Sequence, residues 1–142
     1  MSRALNDLSS YLQPKAFEFV ARAAEAGIPV MIVDTVRTTA EQTANVAKGV
    51  SWTMNSKHLP RNLRGILSVD TSNDTKADAF DVVPYDQFQL HGPDKLEWDD
   101  TDPAWQILGK IGEKLGLKWG VLKPGGKRID LGHFELYTDQ IF

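Results

Sequence analysis

The chain has 142 residues, 42% of them hydrophobic and 25% charged, enough for one domain with a real core. A net charge of −3 and an isoelectric point near 5.6 argue against a general nucleic-acid binder, which carries a basic surface. With no cysteine, disulfides, thiolate metal ligands and cysteine nucleophiles are excluded, and any metal site must draw on carboxylates and on His58, His91 and His133.

Residues 4–11 are compatible with a short helical turn. Pro14 opens a stronger helix, because proline is tolerated in a first turn. Phe17, Val20, Ala21 and Ala24 mark one face of it, and Gly27 is its stop signal. Residues 28–33 are apolar and rich in β-branched side chains, so they form a buried strand, followed by Asp34, Thr35 and Arg37. Thr39 is expected to cap a helix over 40–48, with Gln42 in its first turn and Gly49 at its end.

The stretch 51–60 is irregular and leads into Ser56-Lys57-His58. Residues 61–76 form an excursion with one short apolar run at 66–69. Residues 79–83 are a second strand, ended by Pro84. The acidic stretch 85–102 is loop-like. Asp102-Pro103 then starts a helix with Asp as cap and Pro at the first position, and its apolar face is Trp105, Leu108, Ile111 and Leu115. Gly116 closes that helix, 117–121 is a strand, and Lys123-Pro124-Gly125-Gly126-Lys127 is a turn. Polar and apolar residues alternate from Leu131 to Tyr137, which makes the last strand half-buried. Helices and strands do not alternate regularly, so the class is α+β with a small, largely antiparallel sheet.

Residues 1–142 are expected to be one domain, monomeric, with no membrane span and no separate binding module. No apolar run approaches the roughly 20 residues of a span, and residues 1–13 lack the apolar stretch of a signal peptide.

His133 and Glu135 are two apart on a strand and share a face. A catalytic zinc site takes three protein ligands and leaves a position for water. His133, His58 and a carboxylate on a rigid element meet that need. Asp81 lies inside the apolar strand 79–83, where an unpaired charge costs several kcal/mol. Asp78 is the alternative ligand, of opposite strand phase. Two neutral imidazoles and one carboxylate leave a net positive site, which lowers the pKa of a bound water toward about 7. Asp130 is out of phase with His133, so it can reach over the metal's open side as general base. Arg37 can clamp a substrate carboxylate or oxyanion.

Three segments carry a family resemblance: Ser56-Lys57-His58, Ala77-Asp78-Ala79-Phe80-Asp81 and Asp130-Leu131-Gly132-His133-Phe134-Glu135, with Arg37-Thr38 and Gln42 upstream. Over 14–137 the chain resembles the M15 zinc peptidases of the VanY and D-alanyl-D-alanine carboxypeptidase group. Within that group it is most similar to single-domain phage endolysins that cut the L-alanyl-D-glutamate bond of peptidoglycan. The resemblance implies a hedgehog/D,D-peptidase-like fold and Zn2+ on His58, Asp81 and His133. It also implies Asp130 as catalytic acid/base, with Arg37, Ser56 and Gln42 on the substrate side. Two departures stand out: His58 and Asp81 are 23 residues apart, a much longer spacing than the family's, and Ala77 replaces the usual glycine.

The resemblance further implies a protein made in the host cytoplasm that reaches the peptidoglycan of the periplasm after release. A D,D-carboxypeptidase or dipeptidase acting on D-Ala-D-Ala, and a non-catalytic zinc or wall-binding module, are the alternatives. Glu135 is expected to orient a ligand or pair with a cation, as outer carboxylates do, with a second proton-transfer role as the alternative. His91 is read as a surface histidine. Trp105 is core, and Trp52 and Trp119 fit either cleft or core. Asp70-Thr71-Ser72-Asn73-Asp74 has the oxygen spacing of a calcium loop without its glycine, and a solvated loop fits better.

Overall fold

A computed structural model describes residues 2–49, 54, 56–66, 71–85 and 96–137. Trp52, His91, Asp70 and most of the run 66–69 lie outside these residues, as does 86–95 of the acidic stretch.

Among the described residues, four strands form one antiparallel sheet: β1 (Val30–Asp34), β2 (Ala79–Pro84), β3 (Leu117–Leu122) and β4 (Arg128–Leu136). Their order across the sheet is β1-β2-β4-β3. Helices α1 (Gln13–Glu25), α2 (Thr39–Ala47) and α3 (Ala104–Lys114) complete an α+β fold. Strand alternation divides the chemistry. Phe80, Val82, Phe134 and Leu136 turn into the core with Ala16, Phe19 and Leu108 of α1 and α3. Asp81, His133 and Glu135, of opposite phase, turn to the other face. The rings of Phe19, Phe80 and Phe134 meet at centroid distances of 4.6–5.7 Å. Helix α3 lies close on the sheet because a Cβ at Gly109 or Gly112 would stand 2.3 Å from the ring of Trp119 or Phe134.

The expected elements are present with shifted ends, but α1 buries Ala16, Phe19 and Ala23 rather than the face of Phe17, Val20, Ala21 and Ala24, and the first strand, at the sheet edge, is only partly buried. The N-terminal turn is a 3-10 turn at Leu5–Asp7, and the first strand starts at Val30 rather than Ile28. The cap of α2 is Thr38, not Thr39: its side chain accepts from Glu41 N–H, and the Glu41 side chain accepts from Thr38 N–H. That is a complete capping box. At α3 the Asp102 carboxylate accepts from Ala104 N–H at 2.9 Å, while the helical ladder begins one residue after Pro103.

The excursion 61–76 is pinched at its base. Asp78 N–H donates to Lys57 C=O at 2.9 Å, Arg61 N–H to Lys76 C=O at 3.0 Å, and Asn62 N–H to Asp74 C=O at 2.8 Å. Beneath it lies a fully buried charge cluster. Asp78 accepts from Arg61 Nε at 2.9 Å, Arg64 Nη2 at 2.7 Å and Ser9 Oγ at 2.6 Å. Arg61 and Asp78 are both 0% exposed, and the Arg61 guanidinium also lies 5.0 Å over the Tyr11 ring. The cluster turns a 23-residue separation into a short bridge between His58 and Asp81.

Candidate metal centre and active site

Register assembles the site. Asp34 of β1 is opposite Asp81 of β2, and Asp81 is opposite His133 of β4, so three polar side chains form a row across one sheet face. His58 arrives from the pinched loop. Its Nδ1 lies 2.7 Å from Thr35 C=O, and its own C=O accepts from Arg37 N–H at 2.8 Å. Those contacts aim Nε2 at the row. His58 Nε2, His133 Nδ1 and Asp81 Oδ1 are 3.1, 3.2 and 3.0 Å apart. Four ligands about 2.05 Å from a tetrahedral zinc would stand about 3.3 Å from one another. The triangle therefore has close to the right edge for one face of such a tetrahedron, and the three residues could hold a metal ion.

Each donor is held from behind. His133 Nε2 lies 2.9 Å from Glu135 Oε1, and Lys57 Nζ pairs with Glu135 Oε2 at 3.1 Å while also donating to Leu136 C=O. Arg37 donates from Nε to Asp34 Oδ2 at 2.6 Å, from Nη1 to Gln42 Oε1 at 2.9 Å and from Nη2 toward Asp81 Oδ2 at 3.4 Å. Facing carboxylates repel, and the guanidinium between Asp34 and Asp81 compensates. Gln42 is 0% exposed and meets Arg37; Ser56 Oγ accepts from His58 N–H at 3.2 Å. Asp78 lies apart from the triangle in its arginine cluster.

Asp130 owes its position to a bulge. Trp119 pairs with Phe134 and Val121 with Ile129, so the single residue Gly120 faces the whole stretch from Asp130 to His133. Asp130 has φ 57°, a conformation that Asp tolerates better than most residues. Simple strand phase therefore does not describe it. Gly132 is required here: a Cβ would stand 2.2 Å from Val82 C=O and 3.2 Å from the Trp105 ring. The bulge sets Asp130 on the wall of a cleft of about 330 Å³ that Asp81 also lines, with Trp98, Trp105, Lys127 and Leu131 around it.

Residues 2–136 match the model of the phage L-alanyl-D-glutamate peptidases. The chain belongs to that family. The fold of this peptidase is similar to that of the L-Ala D-Glu endopeptidase ChiX of Serratia marcescens, at TM-score 0.56 and 19% identity, covering 93% of this chain and 82% of that one. No curated protein matches the sequence significantly. Among the described residues, no helix of the peptidase is long and apolar enough to cross a membrane.

The electrostatics of the peptidase's site favour positive charge. Burial alone would raise the Asp81 carboxyl, but the His58 charge and hydrogen bonds from His133 and His58 hold it well below the ordinary range. Burial works against charge on His133, yet Asp81 and Glu135 on its two nitrogens push it up to about 10. Glu135, also buried, is held down to about 2 by His133 and Lys57. The potential that retains a proton on His133 also favours a divalent cation at the same point. Burial raises Asp34, opposed by His58 and Arg37. Asp130 is exposed at the cleft wall, and the partial loss of solvent there raises its carboxyl, with His133 opposing and the Asp81 charge adding to the rise. No local sequence pattern marks Asp34, Lys57 or the Thr35 carbonyl as site groups. Lys57 sits inside the Ser56-Lys57-His58 motif, but its partner is 78 positions away.

Proposed function

We propose that this protein is a zinc-dependent endolysin that hydrolyses the L-alanyl-D-glutamate bond of the peptidoglycan stem peptide. The observation that carries this is the triangle of His58 Nε2, Asp81 Oδ1 and His133 Nδ1, with tetrahedral edge lengths, beside a cleft that Asp130 lines. The donor set fits zinc, since two imidazole nitrogens and one carboxylate leave an open position. When bound, zinc supplies Lewis acidity to the scissile carbonyl and acidifies a water.

Asp130 takes the proton of the attacking water and passes it to the amide nitrogen. The C–N bond breaks, alanine leaves as a carboxylate and glutamate as a free amine. A raised carboxyl suits both halves of that transfer, because a group nearer neutrality gives and accepts a proton more readily. Among the described residues, three of the five N–H donors of Arg37 meet protein acceptors, and the others are open to a substrate oxygen. Glu135 and Lys57 keep His133 turned so that Nδ1 faces His58 Nε2 and Asp81 Oδ1, the groups that would hold the metal with it. Ser56 and Gln42 act through His58 and Arg37. The enzyme acts on the wall after release from the host cytoplasm.

Mass spectrometry of digested peptidoglycan tests the bond assignment. New amino-terminal glutamate is expected, and loss of terminal D-alanine instead would replace this reading by a D,D-carboxypeptidase.

A further inference from the structure

We propose that Lys127 forms a subsite for the free carboxylate of the residue on the leaving side of the scissile bond; this rests on the peptidase reading above. The residue that gives up its amide nitrogen must place that nitrogen within hydrogen-bond reach of Asp130. It therefore sits on the Asp130 side, in the cleft of about 330 Å³. A glutamyl residue in mid-chain carries two carboxyls and uses one to continue the chain. The other stays free, a few bonds from the leaving nitrogen.

That carboxylate enters a demanding place. Trp98, Trp105 and Leu131 supply apolar wall, while Asp81, Asp100 and Asp130 supply negative charge. The cleft is open to solvent, with Trp98 59% exposed, so the demand comes from repulsion by those three carboxylates, which a neighbouring cation offsets. Among the described residues lining the cleft, Lys127 is the cation. Its side chain makes no ion pair or hydrogen bond with any described residue. Arg37 does not line this cleft and is engaged by Asp34, Gln42 and Asp81.

The backbone under Lys127 is fixed. Lys127 C=O accepts from Lys123 N–H at 2.8 Å, and Lys123 C=O from Gly126 N–H at 3.0 Å, immediately before β4 begins. A tied turn thus presents an ammonium with no partner among the described residues at the cleft, next to the bulge that carries Asp130. Lys127, Asp100 and Leu131 also line an adjoining groove of about 570 Å³, which gives the rest of the substrate a continuous path.

The test uses two synthetic stem peptides that differ only in the free glutamyl carboxyl, left as the acid or converted to the carboxamide. Values of kcat/KM are measured for the wild type, Lys127→Met and Lys127→Arg, with melting curves to verify folding. A charge-assisted hydrogen bond corresponds to about 10–100-fold. The wild type should prefer the acid by that factor. Lys127→Met should lose the preference by slowing on the acid alone, and Lys127→Arg should keep most of it. A wild type indifferent to the amide, or a Lys127→Met effect equal on both peptides, overturns the subsite while leaving the peptidase standing. A wild type that cleaves neither peptide overturns the peptidase reading itself.

Discussion

Asp78 and Asp81 are three residues apart, and the structure gives them opposite work. Asp78→Asn removes the negative charge that two buried guanidiniums share, with Arg61 Nε at 2.9 Å and Arg64 Nη2 at 2.7 Å, in a cluster where Asp78 is 0% exposed. Breaking a buried pair by removing one partner costs about 3–5 kcal/mol, because the charge left behind has no compensation. Against a typical total of about 5–15 kcal/mol that is a large loss. For a chain of this length about 3 °C of melting temperature corresponds to 1 kcal/mol, so the expected fall is about 10–15 °C. Calorimetry gives the melting temperature, and atomic emission gives the zinc content of the same sample. Zinc content below the midpoint should stay at the wild-type value, since Asp78 is not part of the triangle. A melting temperature within a few degrees of wild type together with lost zinc would refute this assignment and make Asp78 the ligand.

Asp130→Asn keeps a residue type that tolerates positive φ. It should hold zinc as the wild type does while hydrolysis falls about 10²–10⁴-fold, as loss of a general acid/base does; unchanged hydrolysis would remove Asp130 from the mechanism. Gly132→Ala drives a methyl to 2.2 Å from Val82 C=O, so it should cost about 1–3 kcal/mol in denaturant titration and weaken hydrolysis by displacing the bulge. In metal-stripped protein, Glu135 titrates at about 2 when folded against an ordinary 4.5. Its contribution, about 3 kcal/mol and shared with His133, is therefore present above pH 4.5 and is lost as the pH falls through 2. His133, raised to about 10, contributes below pH 6.5 and loses that contribution as the pH rises through 10. Urea titrations of metal-stripped Glu135→Gln should show a flatter acid limb, and an acid limb identical to wild type would contradict the pairing.

What the sequence makes legible is what periodicity encodes. The alternation from Leu131 to Tyr137 puts Phe134 inward and His133 with Glu135 outward, and β4 does so. The apolar strand around Asp81 already demanded a partner for that charge. The capping box at Thr38 and Glu41 was available as a threonine three residues before a glutamate, and only the adjacent Thr39 obscured it. The rest depends on contacts distant along the chain. Nothing local distinguishes Arg61 from a surface arginine, because its burial comes from Asp78, Arg64 and Tyr11 meeting after the excursion closes. The bulge at Asp130 requires knowing that Gly120 stands opposite, which is a matter of register, and the cleft beside it exists only once Trp98, Trp105 and β4 converge.

The most direct measurement is a calorimetric zinc titration of metal-stripped protein. One ion per chain should bind, binding should be lost in His58→Ala, Asp81→Ala and His133→Ala, and Asp78→Asn should bind as the wild type does. A wild type that takes up no zinc, or a His133→Ala variant that binds it unchanged, would contradict the metal centre on which the proposed hydrolysis depends.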